Sequence, residues 1–298
     1  KMILSTAVIY LKEKNMTKGE KEKMSSGDYY SAVDEELVRE RDYARNLTYE
    51  FNHTRPTEKE RRLEIIVLSL LPGILILAFY SLVSWYAVPF SIPSILVIFA
   101  AIAIILVPFE LGFLIYQGRK VNKRISLNNV VLFREKVPVI QFIIFVVILI
   151  KWSEFVFRCL STRIDTLFVN NFFYWVPKWF FLDSFYQHIS QYSKTVLLVT
   201  WILGLIFNGI IGPIVEELYF RGYLLPRMKH MKGWAPIINV LLFSLYHFFT
   251  PWQNVTRIIA LLPLVYVVWW KRNIYIGIVT HCALNITGMI GMLPIVLK

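Results

Sequence analysis

Cysteine is almost absent from this 298-residue sequence. Cys159 and Cys282 are its two cysteines and have no paired spacing, so neither a disulfide framework nor a zinc ribbon is indicated. Charge is scarce too, at 17% of residues, and acidic residues thin out sharply along the chain. Residues 1–62 hold 13 Lys or Arg against 12 Asp or Glu, whereas the remaining chain holds 19 against 8. An excess of basic residues confined to short loops between apolar runs reads as membrane topology, which argues against a nucleic-acid partner. His-Glu-x-x-His is missing, which removes the common zinc-protease signature. No inverted repeat is visible, so a proton-coupled transporter has little support. The short apolar run from Met2 to Leu11 has no small-residue cleavage pattern close behind it and is not read as a cleaved leader.

What the sequence has in abundance is apolar length. It is 56% apolar and 16% aromatic, with runs near 63–88, 93–117, 137–157, 194–228, 234–250, 255–270 and 274–297. Runs of about 20 residues span a bilayer. The expected fold is therefore an all-α polytopic membrane protein with seven to eight transmembrane helices, eight if 194–228 divides, and an active site inside the bundle. Pro213 is the expected kink or break in that long run, because its ring removes the bond to the carbonyl of Gly209. Residues 1–62 are expected to form a polar cytoplasmic N-terminal segment, in part disordered, with a weak amphipathic helix through Val33, Leu37, Ala44, Leu47 and Phe51. The transmembrane domain is expected over 63–298.

Orientation follows from the basic loops. Arg61 and Arg62, the connection from Gly118 to Lys136, the stretch Arg227 to Lys232, and Lys271 with Arg272 all fall inside if seven crossings alternate from a cytoplasmic N-terminus. The connection at 158–193 is then external. Its aromatics (Phe172, Phe173, Tyr174, Trp175, Trp179, Phe180, Phe181) suit an interface belt.

Against this apolar background, Gly212-Pro-Ile-Val-Glu-Glu-Leu-Tyr-Phe-Arg-Gly222 places two adjacent carboxylates at membrane depth. Ionisable residues there are costly and mark function or pairing. On a helix Glu217 and Arg221 are four apart on one face in the favoured order, and Glu216 lies about 100° round the helix. Glu217 is thus expected to pair with Arg221, leaving Glu216 for chemistry. Two more polar motifs follow, Phe243-Ser-Leu-Tyr-His247 and His281-Cys-Ala-Leu-Asn285. Counted from their cytoplasmic helix ends, Glu216, His247, His281 and Asn285 lie about 12 to 20 Å deep at 1.5 Å per residue. Glu110 and Glu154, near the ends of their spans, read as interfacial or paired. Cys282 faces another side of its helix and lacks an adjacent base.

Glu-Glu-x-x-x-Arg, Phe-x-x-x-His and His-x-x-x-Asn, in this order across residues 195–290, resemble the CAAX protease and bacteriocin-processing family of intramembrane proteases. The resemblance implies hydrolysis of a peptide bond in a small membrane-associated peptide or protein: a prenylated C-terminus in eukaryotic relatives, peptide pheromone or bacteriocin processing and immunity in bacterial ones. It implies Glu216 with His247 as the base that activates water, His281 and Asn285 as oxyanion donors, and Glu217, Arg221 and Phe243 in support. No cofactor is required on this reading. If zinc were used, Glu216, His247 and His281 would be its ligands. The expected location is a bacterial plasma membrane, and the alternative role is a non-proteolytic immunity or scaffold protein retaining the fold.

Overall fold

A computed structural model describes residues 19–52 and 56–296. The chain divides into two units, Lys1–Leu63 and Glu64–Lys298. In the first unit, α1 (Glu20–Ser25) and α2 (Glu35–Asn52) are helical. Leu37 is buried and Val33 exposed, so the expected apolar stripe is broken at its start. The run Met2 to Leu11 lies outside the described residues.

The second unit is helical. Among the described residues there is no β-strand, and one isolated bridge pairs Arg134 with Asn273. Its helices are α3 (Pro56–Ala87), which begins in the first unit, then α4 (Ser94–Asn122), α5 (Val139–Phe172), α6 (Lys194–Arg227), α7 (Ala235–Tyr246), α8 (Asn254–Lys271) and α9 (Ile274–Val296). Six stretches among the described residues are long and apolar enough to cross a bilayer. The protein is an all-helical, multi-pass membrane protein.

Two expectations about these spans need correction. The apolar run at 234–250 yields only the 12-residue α7, about 18 Å long at 1.5 Å per residue, well short of a hydrocarbon core of roughly 30 Å. Six long helices therefore stand where seven or eight crossings were expected. α7 stops at Tyr246 because His247 leaves helical geometry (φ −80°, ψ 54°) and Pro251 starts the next turn, biasing Thr250 away from the helix. The second correction concerns Pro213: α6 neither breaks nor divides there, and runs 34 residues. Its turns widen into π geometry at Gly204–Ile211 and Glu217–Leu224, and the Gly212 N–H bonds the Phe207 carbonyl, five residues back. Such turns re-satisfy the bonding that a proline disturbs.

The two ends of the bundle differ. At one end the loop after α4 is stitched to α6 and to the α8–α9 turn. Leu132 N–H donates to the Gly222 carbonyl at 2.8 Å, Glu135 N–H to the Arg272 carbonyl at 3.0 Å, and Asn273 Nδ2 to the Glu135 carbonyl at 2.7 Å. The basic loops thus gather at one end. At the other end the connection after α5 folds partly inward, where a belt at the interface was expected. Phe173, Phe180 and Phe181 pack on Trp252, and Phe185 is buried. Tyr174 and Trp175 stay exposed. Burial explains the difference, since rings that find an apolar partner lose more water than rings left at a surface.

Candidate active site

α6, α7 and α9 bring Glu216, Phe243, His247, His281 and Asn285 to one cavity of about 380 Å³. α3 and α4 supply its apolar wall, which includes Ile76, Phe99 and Leu106. The close approach of α3 depends on Gly73, since a Cβ there would lie 2.0 Å from the Tyr246 carbonyl oxygen.

Glu217 is 1% exposed and Arg221 fully buried. Arg221 Nη1 sits 3.1 Å from Glu217 Oε1, but its N–H groups are not directed at the oxygen, so the pair is an electrostatic contact without a directed hydrogen bond. The guanidinium carbon lies 4.0 Å from the centroid of the Phe243 ring. That stacking gives the Phe of Phe-x-x-x-His a role, because an aromatic face stabilises a desolvated cation. Glu217 is not held by Arg221 alone: His281 Nδ1 is also 3.1 Å from Oε1 and donates to it. The other carboxylate oxygen faces Gly277, where a Cβ would lie 2.5 Å away. Glycine there makes room for the acid.

Glu216 is held more loosely. The Tyr246 hydroxyl donates to Oε1 at 3.2 Å, while His247 Nε2 is 4.0 Å from Oε1 and His281 Nε2 3.8 Å from Oε2. The two imidazoles therefore approach Glu216 at distances longer than a hydrogen bond and suited to a bridging water. His247 is fixed by donating from Nδ1 to the Phe243 carbonyl at 2.8 Å. Asn285 donates from Nδ2 to the Asn208 carbonyl at 2.8 Å, which occupies one of its two amide protons. Among the described residues no three His, Cys, Asp or Glu side chains are grouped to hold a metal ion.

Several residues around the site escaped sequence reasoning. Glu110 was expected to be interfacial or paired; it is fully buried in α4, away from any interface, next to the Tyr246 hydroxyl and within electrostatic reach of Glu216 and Arg221. Its rarity, as the one acid in a long apolar run, was the available signal. Tyr246, next to His247 in sequence, carried none. Arg257, buried in α8, lines the same cavity. Glu154 lies 2.9 Å from Lys151, and Cys282 is outside the cavity lining.

Residues 197–287 match a family model described as type II CAAX prenyl endopeptidase Rce1-like. Residues 23–67 match the maltose acetyltransferase hexapeptide capping motif. A Staphylococcus aureus (strain MRSA252) protein named for acetyltransferase activity is 44% identical over 48 residues, 16% of this chain and 24% of that protein. The chain thus spans about a quarter of the length of this curated relative. No solved structure matches the chain.

Proposed function

Residues 197–287 carry an Rce1-like domain of the CAAX protease and bacteriocin-processing family, and from that premise we propose that the protein is an intramembrane endopeptidase acting on a small membrane-associated peptide or protein. The observation that carries the reading is the convergence of Glu216, His247, His281 and Asn285, from three helices, on one cavity.

A water held between Glu216 and His247 Nε2 loses its proton to this pair as it attacks the scissile carbonyl; a positioned base of this kind is worth about 10²- to 10⁴-fold. The second amide proton of Asn285, together with Nε2–H of His281 as imidazolium, its Nδ1–H being given to Glu217, meets the developing oxyanion. The proton taken from water then goes to the leaving amine, which completes hydrolysis. Glu217, Arg221 and Phe243 hold α6 and the His281 ring in register. The basic end of the bundle faces the cytoplasm, with the N-terminus on that side, by the bias of Lys and Arg toward internal loops. A bacterial plasma membrane is the proposed location.

The segment at 23–67 has the family likeness of a capping motif. Hexapeptide-repeat enzymes are built on a parallel β-helix, and no strand occurs among the described residues.

The test is cleavage of a fluorescent peptide ending in a prenylated cysteine and three further residues, by protein reconstituted in nanodiscs, with the products identified by mass. Glu216→Gln is expected to reach the membrane at normal levels and to cleave at least about a hundredfold more slowly. Full activity in that variant would overturn the proposed chemistry and leave a non-proteolytic immunity or scaffold role.

A further inference from the structure

Glu110 is the buried acid that the proposed chemistry leaves unused. It stands in the π-turn stretch Ile102–Leu111 of α4 and is fully buried, yet it does not line the catalytic cavity. Between it and the cavity is Tyr246, which is 1% exposed and does line it. The Tyr246 hydroxyl donates to Glu216 Oε1 at 3.2 Å and has the Glu110 carboxyl beside it. One phenol thus serves two carboxyl groups, one inside the cavity and one behind its wall.

A phenol has a single hydrogen to give, and here Glu216 takes it. The contact between Glu110 and the phenol oxygen is then favourable only if Glu110 supplies the hydrogen itself. The other groups around it do not supply one. Arg221 acts on Glu110 electrostatically but makes its ion-pair contact with Glu217 at 3.1 Å, and among the described residues no cation pairs with Glu110. The nearby Tyr219 hydroxyl donates to the Leu68 carbonyl at 2.9 Å. A carboxylic acid kept neutral in an apolar place so that it can donate is an established device of active sites.

We propose that Glu110 is a positioning residue, a neutral carboxylic acid that donates to the Tyr246 oxygen and so commits the phenol hydrogen to Glu216. A hydroxyl between two acceptors can turn to either. With a donor on the Glu110 side it can turn only to Glu216, and a phenol that accepts one hydrogen bond donates another more strongly. Glu216 Oε1 is thereby held in one direction while its remaining lone pairs face the cavity. The consequence for hydrolysis rests on the endopeptidase reading above, whereas the chain of hydrogen bonds does not.

The test has two arms, both on the full chain in nanodiscs. The first needs no turnover. The infrared difference between wild type and Glu110→Gln should show the carbonyl band of a carboxylic acid, and this band should move in Tyr246→Phe. A carboxylate band in its place, or an acid band indifferent to Tyr246→Phe, overturns the proposal whether or not any peptide is cleaved. The second arm is cleavage of the prenylated peptide. Glu110→Leu should lower kcat at least about fivefold with KM little changed, as for loss of one hydrogen bond that orients the base. Glu110→Gln should recover most of that loss, because its amide donates to the same oxygen. In a Tyr246→Phe background Glu110→Leu should cost nothing further, since the two residues act in series. A loss in Glu110→Gln as deep as in Glu110→Leu, or additive losses with Tyr246→Phe, would overturn the positioning role. Should Glu110→Leu fail to fold, the infrared bands and the Glu110→Gln turnover still decide. The expected bands in a wild type that cleaves no peptide would overturn the role in hydrolysis together with the endopeptidase reading and leave the chain of hydrogen bonds standing.

Discussion

Glu216 and Glu217 are consecutive in the chain and both buried, yet one α-helical step gives them opposite surroundings. Glu217 is clamped, with Arg221 and His281 each at 3.1 Å from one oxygen and Gly277 against the other. Glu216 faces the cavity, with Tyr246 at 3.2 Å and two imidazoles near 4 Å. The difference shows how a membrane helix can carry two acids without making them equivalent. The engaged one fixes the geometry, and the loosely held one keeps lone pairs free for a proton.

The comparison breaks most severely where the clamp is removed. Arg221→Ala leaves Glu217 buried beside His281 alone, and losing one partner of a buried pair costs about 3 to 5 kcal/mol. Folded yield and the thermal unfolding midpoint in detergent should both drop. An unchanged melting profile would mean that Glu217 does not depend on this cation. On the open side a smaller effect is expected. Asn285→Ala should lower turnover by roughly a hundredfold, about 2.7 kcal/mol, with substrate affinity little changed, as for loss of one oxyanion donor. A change confined to KM would assign Asn285 to binding. The smallest effect sharpens the comparison by its absence: exhaustive chelation should leave turnover unaltered. Stoichiometric zinc with chelator-sensitive cleavage would instead make Glu216, His247 and His281 ligands of one ion.

The apolar runs and the three polar motifs were legible because each is local, a matter of length or of residues four apart on one helix face. α7 was harder. Its run looks long enough to cross a bilayer, and only the turn at His247 shows that the helix covers about 18 Å. Pro213 was read by the α-helical rule, which misses the wider turns that absorb it. The aromatic stretch after α5 gave its composition but not its direction, since belt and buried cluster use the same residues. Glu110 and Arg257 were harder to read for a different reason: each is the lone charge in the apolar stretch of its helix, and its meaning depends on which groups other helices bring beside it.

The place where α7 ends has a consequence for repeated turnover. His247 N–H bonds the Ser244 carbonyl, and its ring reaches back to the Phe243 carbonyl, so the imidazole closes its own helix terminus. A carbonyl can only accept, which fixes Nδ1 as the protonated nitrogen. In neutral imidazole and in imidazolium alike, Nδ1 carries its hydrogen; only Nε2, on the Glu216 side, gains or loses one. The anchor and the exchanging proton therefore sit on different atoms of one ring. Each catalytic cycle can load and unload Nε2 without loosening the end of the helix that aims it.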